Sequence, residues 1–245
     1  MYIAIEGLKG TGKSTLMRQL PLRLRAAGVP VVTLCPTRPL PFPHPLEQLA
    51  AAEHDDALRE QLYAARSNFH AARVPADAPL VLGDRSILTS YATRWDRLPA
   101  HHRTEHIAQV DALEHRIGRP DHVIYLSLPA PQLLARLQAR SERRYGLDDQ
   151  TPERLRSAAR AYRDMREQAH SLGLDAITWH DLDARVPPEA LLRAAERLIM
   201  RILQGAPSQT STESSRSRAR RHDTDTGCLP GEPIFRTQPR CEHRP

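Results

Sequence analysis

The sequence predicts an α/β fold: a mostly parallel β-sheet covered by helices on both faces. Three observations carry this. Short apolar runs alternate with helix-periodic segments from the first residue to about position 205, the order that builds parallel sheets because each crossover has room for a helix. A glycine-rich stretch joins the first apolar run directly to a helix pattern. Hydrophobic residues make up 40% and charged residues 26% of the 245, a balance that suits a globular chain rather than a membrane-spanning or wholly disordered one.

The elements follow in order. "MYIAIE" alternates as a strand does, and "STLMRQLPLRLRAAG" repeats leucine at helical spacing until Gly28 stops it. Pro21 lacks an N–H, which predicts a kink or an adjustment inside that helix. "VPVVTL" is a second strand. "CPTRPLPFPHP" holds five prolines among eleven residues and must be a loop, since too many backbone donors are missing. Residues 45–72 read as helix in two pieces, and "PLVLGD" as an apolar strand ending at Asp84. Residues 86–116 are helical with a break near Pro99. "HVIYLSLP" is the fourth strand and "APQLLARLQARSERR" the helix after it. "TPERLRSAARAYRDMREQAHSLG" is a long helix with Thr151 as cap and Pro152 as its first residue. "DAITWHDL" and "PPEALLRAAERLIMRIL" close a single domain over residues 1–205.

Residues 206–245 lose this periodicity. Serine, threonine, proline and mixed charges offer little to bury against chain entropy, so a disordered tail is expected. Its run "SRSRARRH" is the one place where nucleic acid would be met; otherwise no nucleic-acid partner is expected. Cys35, Cys228 and Cys241 are odd in number and widely spaced, which excludes a readable disulfide framework or metal knuckle and leaves a reduced, cytoplasmic protein as the expectation. No stretch is long and apolar enough for a membrane span. The net charge of +6 attracts anions without choosing among them.

Against 35 basic residues the chain has lysine only at Lys9 and Lys13, both inside "EGLKGTGKST". Gly7, Gly12, Lys13 and Ser14 satisfy the phosphate-loop spacing, with a strand before and a helix after. Glycines let successive N–H groups curl around phosphate oxygens, and the following helix adds its unsatisfied N–H groups and positive dipole end. Gly7, Leu8, Lys9, Gly10, Thr11, Gly12, Lys13, Ser14 and Thr15 are the candidate ATP-binding residues. Lys13 reaches the β- and γ-phosphates, Ser14 holds Mg2+, and Thr15 meets a phosphate oxygen. Lys9 projects from the crown, where it faces a second substrate, covers a phosphate or is solvated.

Transfer of the phosphate calls for a pocket that accepts it and for mobile positive charge that closes while excluding water. Arg136 and Arg140 lie four apart on one helical face, Arg143 and Arg144 follow, and Gly146 permits a turn, which together make an arginine-bearing lid. Asp84 at a strand end can orient Mg2+ or its water shell, and Arg85 can grip an acceptor phosphate with its fork. Lys13, Arg140, Arg143 and Arg144 are the candidate catalytic residues; Ser14 and Asp84 are the metal candidates.

"YIAIEGLKGTGKSTL", "VLGDRSILTSYA", "IYLSLPAPQLLARLQARSERR" and "RLRSAARAYRDM" together resemble the thymidylate kinase family, from Met1 to about Leu203. The resemblance implies a P-loop kinase-like three-layer α/β/α fold, transfer of the γ-phosphate of ATP to thymidine monophosphate with Mg2+, and a homodimer. It places Arg38 near the acceptor-phosphate arginine, Arg66 near a second acceptor arginine, and Asp84 and Arg85 beside metal and acceptor phosphate. The chain departs from the pattern at Lys9, where the family carries an acid that helps select deoxyribose. It departs also at "TRPLP", which lacks the usual glutamate and glycine, at Ser127 in place of an aspartate, at Ser86 in place of an aromatic, and at Ser67, the position where simple alignment puts the arginine. Two other readings stay open at this point: a deoxynucleoside or other small-molecule kinase, and a regulatory or nucleic-acid-associated ATPase that uses the basic tail.

Overall fold

The computed structural model describes residues 1–52, 56–93, 95–139 and 151–205. The segment expected to be a disordered tail and the lid arginines Arg140, Arg143 and Arg144 lie outside the described residues. Five strands, β1 (Tyr2–Gly7), β2 (Val31–Leu34), β3 (Leu80–Asp84), β4 (His122–Ser127) and β5 (Thr178–Asp183), form one sheet in the order β2-β3-β1-β4-β5. Every pairing is parallel. The helices are α1 (Lys13–Ala26), α2 (Pro45–Ala52), α3 (Asp56–Ala71), α4 (Leu88–Ala92), α5 (Arg103–Leu113), α6 (Ala130–Gln138), α7 (Pro152–Glu167) and α8 (Pro188–Leu203). Single 3-10 turns at Trp95–Arg97 and Ala100–His102 make the break near Pro99.

The two-residue alternation of strands sorts side chains into two cores. Ile3 and Ile5 of β1, Leu80 and Leu82 of β3, and Ile124 and Leu126 of β4 pack on one face against Leu16, Leu20 and Leu24 of α1 and Leu192, Ala195 and Ile199 of α8. Tyr2, Val81 and Val123 point the other way, toward Leu88 and Tyr91 of α4, Trp95, Ile107 of α5, and Ala161 and Met165 of α7. Three layers result, with apolar residues on both sides of the sheet.

Two features of the elements differ from a plain reading of pattern. Helix α1 runs through Pro21, which is buried, so the missing N–H is absorbed without ending the helix. The helix after β4 stops at Gln138, and the residues that follow Ala139 are outside the described set. Thr151 caps α7 as its type predicts, its hydroxyl accepting from Arg154 N–H at 3.3 Å.

The strand order locates the site. β1 and β3 are neighbours, yet β1 leads into α1 on one face and β3 into α4 on the other. Chains that part in opposite directions leave a crevice at the carboxyl ends of the two strands.

Candidate active site

That crevice is an open cleft of about 1050 Å³. Its floor is the loop between β1 and α1. Gly7, Gly10 and Gly12 all have positive φ, at 138°, 98° and 102°. At Gly7 a Cβ would come within 2.7 Å of the Leu126 carbonyl oxygen, a backbone atom that cannot give way, so both conformation and space require glycine there. Lys13 is buried, and its Nζ donates to the carbonyls of Gly7 and Leu8, both at 2.8 Å, which stretches the side chain across the loop. Thr11 closes the same turn with its hydroxyl on the Leu8 carbonyl at 2.9 Å. Leu8, Lys9, Ser14 and Thr15 also line the cleft.

The second wall comes from the end of β3. Asp84 and Arg85 both line the cleft. Arg85 has φ +77°, the one positive value outside glycine among the described residues. Its guanidinium donates to Thr89 Oγ1 at 3.3 Å. Burial works against that charge, and the facing Tyr162, Glu6, Tyr63 and Asp84 outweigh it, so the Arg85 pKa is raised. Helix α7 supplies the third wall: Arg154, Ala158 and Tyr162 recur at four-residue spacing and all reach the cleft.

Behind these walls sits Glu6, which sequence reading passed over. It is 0% exposed. Its Oε1 accepts from the Ser86 N–H and the Ser86 hydroxyl, both at 2.7 Å, and its Oε2 accepts from the Tyr162 hydroxyl at 2.8 Å. Burial, followed by the charge of Glu6, pushes the Tyr162 phenol well above its usual range, so Tyr162 stays a donor. Tyr125, its ring tilted 51° to that of Tyr162 with centroids 5.3 Å apart, is pushed up to about 12 by burial and then by Glu6. The signal in the sequence was a carboxylate closing the apolar run "YIAI" ahead of a glycine: such a group, once buried, must find donors. Ser86, a departure from the family pattern, is one of them.

The proline-rich loop forms the fourth wall through Cys35, Thr37, Arg38 and Pro39. Arg38 lines the cleft, and its carbonyl meets His70 Nε2 at 3.0 Å. Arg66 also lines the cleft, but its guanidinium is engaged by the Glu47 carboxylate through Nε at 2.7 Å and through Nη2, and it donates to the Thr37 carbonyl at 3.2 Å. Ser67, its neighbour, is buried inside α3 and does not line the cleft. Arg136, read with the lid cluster, donates instead to the Ala184 carbonyl at 3.0 Å. Ser127 likewise donates to a backbone carbonyl, that of Leu182, at 3.3 Å.

The result is a strongly cationic chamber. Lys9, Lys13, Arg38, Arg59, Arg85 and Arg97 line it against Asp84, Asp96 and Glu153. Asp96 is itself held by both nitrogens of a fork, Arg160 Nε at 3.0 Å and Nη2 at 2.7 Å. A chamber of this charge, with a phosphate loop at its floor, suits a polyphosphate and a second anionic group together. Ser14 and Asp84 offer hard oxygen donors in the same cleft, the chemistry Mg2+ takes when phosphates and water complete its shell. Among the described residues no helix is long and apolar enough to cross a membrane.

The thymidylate kinase family model matches residues 5–194 of the chain. A thymidylate kinase of Xanthomonas oryzae pv. oryzae is 29% identical over 220 residues, covering 86% of this chain and 90% of that protein. Thymidylate kinases of Pseudomonas entomophila and Pseudomonas putida are each 31% identical, covering 83% of this chain and 97% and 98% of those proteins.

Proposed function

This chain belongs to the thymidylate kinase family, and from that premise we propose that it transfers the γ-phosphoryl group of ATP to thymidine monophosphate, giving thymidine diphosphate and ADP. The observation that carries the reading is the convergence in one cleft of the phosphate loop, with Lys13 laid across it, and of Arg85 and Arg38 from separate walls.

Catalysis of this kind is positioning and charge rather than covalent chemistry. The triphosphate lies in the loop between Gly7 and Thr15, where backbone N–H groups face its oxygens. Arg85 and Arg38 bind the acceptor phosphate and hold one of its oxygens in line with the γ-phosphorus. That oxygen forms the new P–O bond as the bond from the γ-phosphorus to its bridging oxygen breaks, and ADP leaves. Lys13, a point charge on a flexible stem, follows the moving phosphoryl group, a task a rigid guanidinium fork does not reproduce. Ser14 and Asp84 would hold Mg2+, which supplies neutralising charge on the phosphate oxygens when bound. To Arg140, Arg143 and Arg144 we assign the closing lid, on the arginine clustering in the sequence and on the resemblance. The homodimer rests on the resemblance, and the cytoplasmic setting on the cysteine usage. Residues 1–205 are the kinase and the tail is dispensable for transfer.

The test is a phosphotransfer panel with ATP and Mg2+, offering thymidine monophosphate, the other nucleoside monophosphates and free deoxynucleosides to the full chain. Thymidine monophosphate should be the preferred acceptor. If no acceptor outcompetes water, the reading fails. Repeating the panel with Lys9→Asp asks what position 9 does: better discrimination of deoxyribose from ribose assigns it to the sugar.

A further inference from the structure

Glu6 does not line the cleft, yet its carboxylate is met from three other parts of the chain. Its partners are the turn after β3 (Ser86 N–H and hydroxyl at 2.7 Å), α4 (Thr89 Oγ1 at 3.3 Å) and α7 (Tyr162 hydroxyl at 2.8 Å). Desolvating a carboxylate costs several kcal/mol, roughly, even where its lone pairs are filled, so the arrangement is a poor way merely to add stability. What lies beside it is strained. Arg85, with φ +77°, sits in a region that side chains other than glycine rarely occupy.

The strain is held by β1. Ile5, the residue before Glu6, accepts the Arg85 N–H on its carbonyl at 3.1 Å, and Glu6 takes the next N–H, that of Ser86, at 2.7 Å. Tyr2 of the same strand donates its hydroxyl to the Arg85 carbonyl at 3.3 Å. Ser86 thereby has two donors on one carboxylate oxygen, which fixes the turn as well as the side chain. The guanidinium of Arg85 in turn meets Thr89, whose hydroxyl lies between both Glu6 oxygens and Tyr162.

We infer that Glu6 is a positioning residue: its charged carboxylate holds the Arg85–Ser86 turn in the left-handed region and, through Thr89, sets where the Arg85 guanidinium stands in the cleft. Acceptor binding then depends on a side chain that touches neither nucleotide. The inference rests on the reading that Arg85 binds the acceptor phosphate.

Glu6→Gln tests it with almost no change of shape. The amide still accepts from Ser86, but the charge facing Arg85 is gone and one oxygen becomes a donor set against the Thr89 and Tyr162 hydroxyls. The expected result is a rise of about tenfold in KM for thymidine monophosphate with KM for ATP within about twofold, since one charge-assisted contact is misplaced and the phosphate loop is untouched. Ser86→Ala, a milder change, should raise the acceptor KM by about threefold in the same pattern. Equal weakening of both nucleotides, or a fall in melting temperature with both constants unchanged, would show a purely structural Glu6 and overturn the inference. Should Glu6→Gln not fold, Ser86→Ala alone decides by the same split. A crystal structure of the folded variant separates this inference from the functional reading: Arg85 leaving its left-handed conformation supports it, and Arg85 unmoved overturns it, whichever acceptor the enzyme uses.

Discussion

The phosphate loop and the proline-rich loop line one cleft, and they are held in shape by opposite means. The phosphate loop is held from within. Lys13 and Thr11 bond to carbonyls of Gly7 and Leu8, and the positive φ values at Gly7, Gly10 and Gly12 belong to the loop's own residues. The proline-rich loop, short of N–H donors, is held from outside. Arg66 of α3 donates to the Thr37 carbonyl, Glu47 of α2 accepts from Leu40 N–H at 3.1 Å, and His70 of α3 meets the Arg38 carbonyl. A self-held loop fails through its own residues; a loop held from outside fails through residues that are not in it.

Lys13 should give the largest effect. Lys13→Ala removes both the loop-spanning bonds and the charge that tracks the phosphoryl group, and kcat should fall about 1000-fold, at the upper end for loss of a single transition-state donor. Lys13→Arg sharpens the contrast. The residue is 6% exposed and its Nζ has two carbonyls at 2.8 Å, a slot cut for an ammonium, so the arginine variant should recover little of the rate in single-turnover kinetics.

Gly7 comes next, with stability as the readout. Gly7→Ala meets both a disfavoured φ of 138° and the Leu126 carbonyl at 2.7 Å, which together should cost about 3 kcal/mol. Gly12→Ala has φ 102° but nothing within 4 Å, so it should cost only the strain, about 1–2 kcal/mol. In a domain of this size, melting temperatures should fall by about 2–4 °C per kcal/mol. Equal losses would mean that the Leu126 contact is relieved by a shift of the loop.

The same contrast separates what the sequence discloses from what it hides. The phosphate loop is legible because all its parts lie within nine residues, Gly7 to Thr15, and their spacing is the geometry. The parallel sheet is legible for a similar reason, since each strand and helix carries its own period. Glu6 was not legible as a hub, because its partners are 80, 83 and 156 residues away. The resemblance places Arg66 near an acceptor arginine, but its engagement with Glu47 spans 19 residues and two helices, and no local pattern announces it. Long-range pairs between polar side chains obey packing, and packing has no period.

Glu47 is where the outside-held loop should break. Glu47→Gln leaves the Arg66 fork without its counter-charge and should raise the acceptor KM about tenfold, since Thr37 and Arg38 lose their support, while ATP affinity stays within about twofold. Its stability cost should be smaller than that of Gly7→Ala, about 1–2 kcal/mol, because the pair is only partly desolvated, with side chains 12% and 21% exposed. If both nucleotides weaken alike in Glu47→Gln, the two loops are not held independently.

The smallest effect is a pH dependence of the outside-held loop. The Arg66 hydrogen bond, foremost, holds the Glu47 carboxyl below its ordinary value of 4.5. A carboxylate whose pKa is lower in the folded than in the unfolded state contributes stability that is complete above the unfolded value and is lost as pH falls through the folded one. The melting-temperature difference between the native protein and Glu47→Gln should therefore be flat from pH 7 to about 5 and shrink below 4.5, because glutamine has no proton to take up. A Glu47 difference that persists unchanged at pH 3.5 would mean that the loop is held by the shape of the Glu47 side chain rather than by its charge.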